Sequence, residues 1–206
     1  MNYNDLLDKL DNYHIKKDKL SGDTIIYVYP KNNDGSANLD AGIKLENSNG
    51  SLIWDLYEIQ RNKDYKLGDF SIKETAFLAL YITVKGKFEK IKGDNHVKSE
   101  LRIVEKNLLD GKKILQKNIN ELYFSLEHEK EGAINLIEEN QTADVFYLTH
   151  QKEKMMITEA RPLSSALVVL YNFSIKLEKF DELFKSYTES LELKELEKMK
   201  KIYLGN

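Results

Sequence analysis

The chain has no cysteine, which excludes a disulfide framework, a thiolate metal site and a thiol nucleophile together. It has only two prolines, 10 glycines and no low-complexity run, a composition that argues against a long disordered linker. No apolar run approaches the roughly 18–20 residues that cross a bilayer. The opening "MNYNDLLDKLDNYHIKKDKL" also lacks the basic, apolar and small-residue order of a secretion signal. These absences lead to the expectation of a cytoplasmic chain with no membrane partner. Charge of one sign is missing too: 31 Lys+Arg stand against 34 Asp+Glu, mixed along the chain for a net −3. No basic stripe for nucleic acid results, and no nucleic-acid partner is expected.

What the 206 residues do contain is 41% apolar and 10% aromatic side chains, enough for a substantial core. Tyr3, Leu6, Leu7, Leu10 and Tyr13 fall three and four apart, the spacing of a short amphipathic helix. From Asp23, "DTIIYVYP" is β-branched and aromatic and predicts a strand that Pro30 ends. "KNNDGSANLD" is a turn by composition. Asn49-Gly50 lies between two alternating segments and predicts a hairpin pairing Ile43 and Leu45 with Leu52 to Leu56. After the polar "QRNKD", "YKLGDF" reads as a fourth strand. Ser71 and Glu74 have the spacing of a capping box. The apolar stripe Phe77, Leu80, Tyr81, Val84, Phe88, Ile91 predicts a long helix that Gly93 stops.

The order then starts again. Val97, Leu101, Val104 and Leu108 predict one helix closed by Gly111, and "NELYFSLEHE" predicts a strand. "GAINL", "DVFYLTH" and "MMITEA" supply further strands, and a stripe from Leu163 to Phe184 behind Pro162 supplies a second long helix. Without a gap, at an offset of 90, Tyr57 falls on Tyr147, Ala76 on Ala166 and Tyr81 on Tyr171. The expected fold is therefore α+β in two tandem repeats, residues 1–94 and 95–206. Each repeat is a meander of about four antiparallel strands with a short N-terminal helix and a long helix on one face, and an extra C-terminal helix follows.

Chemistry-bearing patterns are scarce. The four histidines, His14, His96, His128 and His150, never fall within four residues of one another, so no zinc spacing exists. In "EHE" strand alternation would point Glu127 and Glu129 away from His128. "NNDGSANLD" fails as a calcium loop, because with Gly35 at the turn the terminal ligand places fall on Pro30 and Ala41. No phosphate-binding glycine loop or nucleophile elbow is present. Neither catalysis nor a cofactor or metal is expected. The aromatic surplus points instead to contact surfaces, since tyrosine and tryptophan bury large area at low conformational cost. Trp54 and Tyr57 are the expected anchors. Asp34, Asp40, Glu138 and Glu139, with the acidic run Glu127 to Glu131, fall in turns able to meet a basic partner.

The segment "WDLYEIQRNKDYKLGDFSIKETAFLALY" combines an aromatic strand, a charged turn, a strand ending Phe-Ser and an aromatic-rich helix. It resembles small α+β immunity proteins of bacterial polymorphic toxin systems. The likeness covers about 40 residues, with the second half joined only through the internal repeat. It implies a protein partner, the cognate toxin domain, which the chain binds and blocks. The alternative is a self-associating structural or adaptor protein of phage or mobile-element origin, with a homodimer formed through the tail helix from Leu191 to Leu204.

Overall fold

The computed structural model describes residues 1–20, 22–48, 51–91, 93–104, 107–140, 142–187 and 191–205. It is a mixed α+β chain that divides into two compact units, Met1–Lys90 with Ser186–Asn206, and Ile91–Lys185. The C-terminal helix, expected with the second repeat, belongs to the first unit.

Unit 1 runs α1 (Tyr3–Lys9), β1 (His14–Leu20), β2 (Asp23–Tyr29), β3 (Ala41–Asn47), β4 (Trp54–Gln60), β5 (Lys63–Phe70), α2 (Lys73–Phe88) and, from the end of the chain, α6 (Leu193–Leu204). The five strands form one antiparallel sheet in sequence order. One more strand is present than the sequence predicts, because β1 reads "HIKKDKL" and carries almost no apolar alternation. It is an edge strand, where lysines guard the unpaired ladder and a hydrophobic pattern is not required. Asn49-Gly50 lies outside the described residues. The β3–β4 pairing is present, with Leu45 opposite Leu56, but Ile43 faces Glu58 and not the Leu52 end. Leu52 and Ile53 precede the strand and are exposed.

On one face of this sheet Ile26, Val28, Ile43, Leu45, Trp54, Leu56 and Phe70 are buried, and α2 packs across β3, β4 and β5. Ten consecutive residues of α2, Thr75 to Val84, are buried. A helix buried all round has neighbours all round: the sheet lies beneath it, and α1 and α6 flank it. The Ser71–Glu74 capping box does not form. The helix opens at Lys73 behind Ile72, which gives no side-chain cap, and ends at Phe88, short of Gly93. Its first turn is exposed at Lys73 and Glu74, and burial begins at Thr75. The tail helix buries Met199, Ile202, Tyr203 and Leu204, with the Ile202 side chain against Gly68 of β5 and the Tyr203 ring against Gly86 of α2. That apolar stripe is used inside the unit and is not free for the tail-to-tail dimer.

Unit 2 contains α3 (Asn95–Arg102), α4 (Leu108–Asn118), β6 (Phe124–Ser125), β7 (Ile134–Glu139), β8 (Thr142–Leu148), β9 (Lys154–Pro162) and α5 (Leu163–Phe184). The single helix expected to end at Gly111 is two helices, with Gly111 inside α4, where a Cβ would meet the Leu167 side chain at 2.7 Å. It serves close helix packing, not termination. "NELYFSLEHE" gives a 3-10 turn and only two strand residues, which pair parallel to β7. His128 lies beyond them, so strand alternation does not govern "EHE". Glu138 and Glu139 end β7 rather than occupying a turn. α5 packs on β7, β8 and β9.

Two half-buried phenols bear on stability. Burial, with Glu89 and Tyr81 adding repulsion, pushes Tyr13 of unit 1 up to about 12. Burial, then Asp181 and Glu178, does the same to Tyr123 of unit 2, again to about 12. An unfolded chain releases these protons near pH 10. The folded state binds more protons in this window, so stability present in full below about pH 10 is lost as pH rises toward about 12. Urea unfolding of unit 1, followed through Trp54, the one tryptophan, should lose stability across that window. Tyr13→Phe should flatten the loss, and an equally steep decline in the variant would contradict the assignment.

Candidate functional site

All three helices of unit 1 sit on one face of its sheet, and the opposite face carries the unusual side chains. Strand register places Lys16 opposite Tyr27, Tyr27 opposite Lys44, Lys44 opposite Tyr57 and Tyr57 opposite Lys66. A straight row, Lys-Tyr-Lys-Tyr-Lys, therefore crosses all five strands. The next row on this face is Asp18, Ile25, Glu46, Asp55 and Asp69, again one residue per strand. In β1 to β4 the two rows are two residues apart, as alternation requires. In β5 they are three apart, because a register shift opposite Leu56 and Tyr57 inserts Leu67. That irregularity keeps Lys66 and Asp69 on the same side.

The rows are bonded to each other. Lys16 contacts Asp18 at 2.7 Å, Lys44 contacts Glu46 at 2.9 Å, and Lys66 contacts Asp55 at 2.6 Å and Asp69 at 3.4 Å. Lys44 also donates to Asp64 on β5 and lies 4.3 Å from the centre of the Tyr57 ring. Though it stands on the face away from the helices, Lys44 is only 9% exposed. Burial alone would lower its pKa, but hydrogen bonds to Asp64 and Glu46 outweigh that and leave it raised. The hydrogen bond to Asp18 raises Lys16, and the hydrogen bond to Asp55 raises Lys66. All three amines are held in the charged form. This is the reverse of what an amine nucleophile requires.

Tyrosines complete the surface. Tyr27 and Tyr29, alternate residues of β2, stack at 6.0 Å and 7°. Gly42 permits this, because a Cβ there would meet the Tyr29 ring at 2.7 Å. Tyr27, Tyr29 and Tyr57 are each half-buried, with ring faces locked by neighbours and part of each ring in solvent. At the two edges Lys16 and Lys66 are 59% and 49% exposed. The face is thus aromatic and rich in both charges, exposed at its edges and closed at its centre, where Lys44, Ile25 and Ile59 are buried.

Of the residues expected from the sequence, only Tyr57 lies here. Trp54 is on the other side of β4, 8% exposed, its indole edge-on to Phe77 of α2 at 5.5 Å. It fills the core and offers no anchor. Asp34 caps its own turn, accepting from the Ser36 backbone and hydroxyl. Asp40 lines an open depression of about 500 Å³ with Glu58, Arg61, Lys63, Tyr65 and Lys87. Glu138 and Glu139 belong to unit 2. The acids of the 127–131 run are each engaged by a different lysine: Glu127 by Lys112, Glu129 by Lys154 and Glu131 by Lys152. Asp34 and the three acids of the 127–131 run are thus each taken up by a partner within their own unit. Tyr27, Tyr29 and Lys44 belong to no sequence motif, and only the alternation in "IIYVY" places the two tyrosines on one face.

Among the described residues no group of three or more His, Asp or Glu is placed to hold a metal ion. No helix among them is long and apolar enough to cross a membrane. Compared with known proteins, the chain matches no family model, no curated protein and no solved structure.

Proposed function

We propose that this protein is a non-catalytic binding protein of the cytoplasm, an immunity protein that neutralises a cognate toxin domain, and that it recognises its partner with the outer face of the unit 1 sheet. The observation that carries the reading is the row Lys16, Tyr27, Lys44, Tyr57, Lys66 on a face the unit's own helices leave open. Aromatic anchors held in place by neighbouring ion pairs lose little side-chain freedom on binding, so more of their contact energy appears as affinity. The alternating charges select a complementary surface and penalise a wrong one. Lysines held protonated support binding over nucleophilic chemistry.

The same reading treats the two units as one plan written twice. Ala76 and Ala166 are each the fourth residue of their long helix, and Tyr81 and Tyr171 each the ninth. Against strict repetition, β4 and β8 begin at 54 and 142, so the strands are 88 apart where the helices are 90 apart. Tyr57 and Tyr147 are then not equivalent: Tyr57 is half-exposed and Tyr147 is fully buried. The duplicated plan has diverged in its strands.

The functional test begins with the gene immediately upstream: a large secreted protein with a variable C-terminal domain there supplies the domain to co-express with this chain, and the absence of one counts against the reading. Rescue of growth by the wild-type chain and copurification of the two support the reading. Persistent toxicity with the chain expressed and folded would reject it.

A further inference from the structure

The two rows on the outer face complement each other position by position, and we infer that this face also pairs with a second copy of the chain. Consider a two-fold axis lying between two facing sheets, running across the strands midway between the rows. Such an axis turns each row onto the other row of the partner while keeping every strand over its own counterpart. Lys16 then meets Asp18 of the second copy, Lys44 meets Glu46, and Lys66 meets Asp69. Tyr27 meets Ile25, ring against aliphatic, and Tyr57 meets Asp55, phenol donor to carboxylate acceptor. All five positions match in chemistry, and by symmetry each contact occurs twice.

The intramolecular pairs do not use up these groups. An ammonium has three donors and a carboxylate about four acceptor sites, whereas Lys16 has one carboxylate within 4 Å and Lys66 has two. Lys16 and Lys66 can each bridge their own carboxylates and the partner's; Lys44, already held by Glu46 and Asp64, keeps its own pair at the centre, and Asp69 also meets Lys198 of α6 at 3.7 Å. Twisted sheets packed face to face cross at about 30°, so their margins splay apart. At those margins the face carries Lys16 and Lys66, whose long stems reach across a gap, while the compact Tyr27, Lys44 and Tyr57 occupy the centre.

Five strands about 4.8 Å apart and seven residues of about 3.4 Å give a plan area of roughly 550 Å², below the ~800 Å² per partner of a standard stable interface. The dimer is accordingly a weak one, favoured at high protein concentration and low salt, where ion pairs are least screened. A tighter partner would displace it. The inference stands on strand register alone and does not depend on what else the chain binds.

Sedimentation equilibrium of the full chain at low and high salt tests it. The wild type is expected to pass from monomer toward dimer with concentration and to shift back at least several-fold as salt rises. Lys16→Asp and Asp18→Lys, both on the exposed edge strand, should each lose self-association. Mixed in equal amounts, those two variants should dimerise again, because each supplies the charge the other lacks; Lys66→Asp with Asp69→Lys is the matching pair at the far edge. A wild type that stays monomeric throughout, single variants that associate as the wild type does, or a mixture that stays monomeric would each overturn the inference. Growth rescue and copurification by a wild-type chain that stays monomeric would overturn this inference and leave the immunity reading standing by itself.

Discussion

Trp54→Ala is expected to destabilise unit 1 by about 3–5 kcal/mol, the range for truncating a large aromatic in a packed core. The indole is wedged between the sheet and α2, edge-on to Phe77, and the ends of α2 and β5 cannot collapse into the vacated volume without moving the strand pair Trp54–Phe70. Trp54→Phe should lose much less, since it keeps an aromatic contact. Far-ultraviolet circular dichroism during urea unfolding measures both. An exposed anchor would behave otherwise, with stability nearly unchanged and only partner binding lost. A Trp54→Ala protein as stable as the wild type would show that this ring is not part of the core.

Gly86→Ala should also destabilise, although alanine is the better helix former by about 1 kcal/mol. A Cβ at this position would lie 2.5 Å from one ring carbon of Tyr203 and 2.7 Å from the next. That ring is 3% exposed and cannot swing into solvent. Overpacking of this sort costs about 1–3 kcal/mol, which exceeds the propensity gain, and relief requires α6 to lift from α2. The variant should unfold at lower urea and be cut by protease within α6 faster than the wild type. A stabilised variant with an unchanged cleavage rate would mean that α6 does not pack closely on α2.

Both variants probe features that the sequence reveals unequally. Amphipathic stripes made α1 and the two long helices legible, and the alternation around Leu45 and Leu56 made the β3–β4 pairing legible. β1 was hidden because "HIKKDKL" is a charged edge whose partner, not whose pattern, makes it a strand. The tail helix was visible as a helix, but its place against α2 depends on Gly86 and Gly68 leaving room for Tyr203 and Ile202, a fit between distant parts of the chain that no local period encodes. The Ser71–Glu74 spacing suggested a cap, but the helix begins at Lys73 with Ile72 in the cap position, so the pair is out of place for it.

The candidate face was half legible for a related reason. Alternation in β4 separated Trp54 from Tyr57, and only the placement of three helices on the Trp54 side decides which of the two is available to a partner. The lysine and tyrosine row is invisible in one dimension. Its members lie 9 to 17 residues apart in the chain and become neighbours only through four strand registers, one of them corrected by the irregularity at Leu67. Acidic residues attract notice in a sequence wherever they occur. Asp34, Glu127, Glu129 and Glu131 prove to be occupied by local partners.

The recognition surface proposed for the outer face of the five-stranded sheet is tested by the equilibrium affinity of Tyr27→Ala/Tyr57→Ala for the purified domain of the proposed cognate toxin, measured by titration calorimetry. These rings stand away from the helix-covered core, so the double variant should stay folded while affinity falls at least 100-fold, as expected when two anchors of about 1.5–2 kcal/mol each are lost. Wild-type affinity in a folded double variant would place the recognition surface elsewhere and contradict the account.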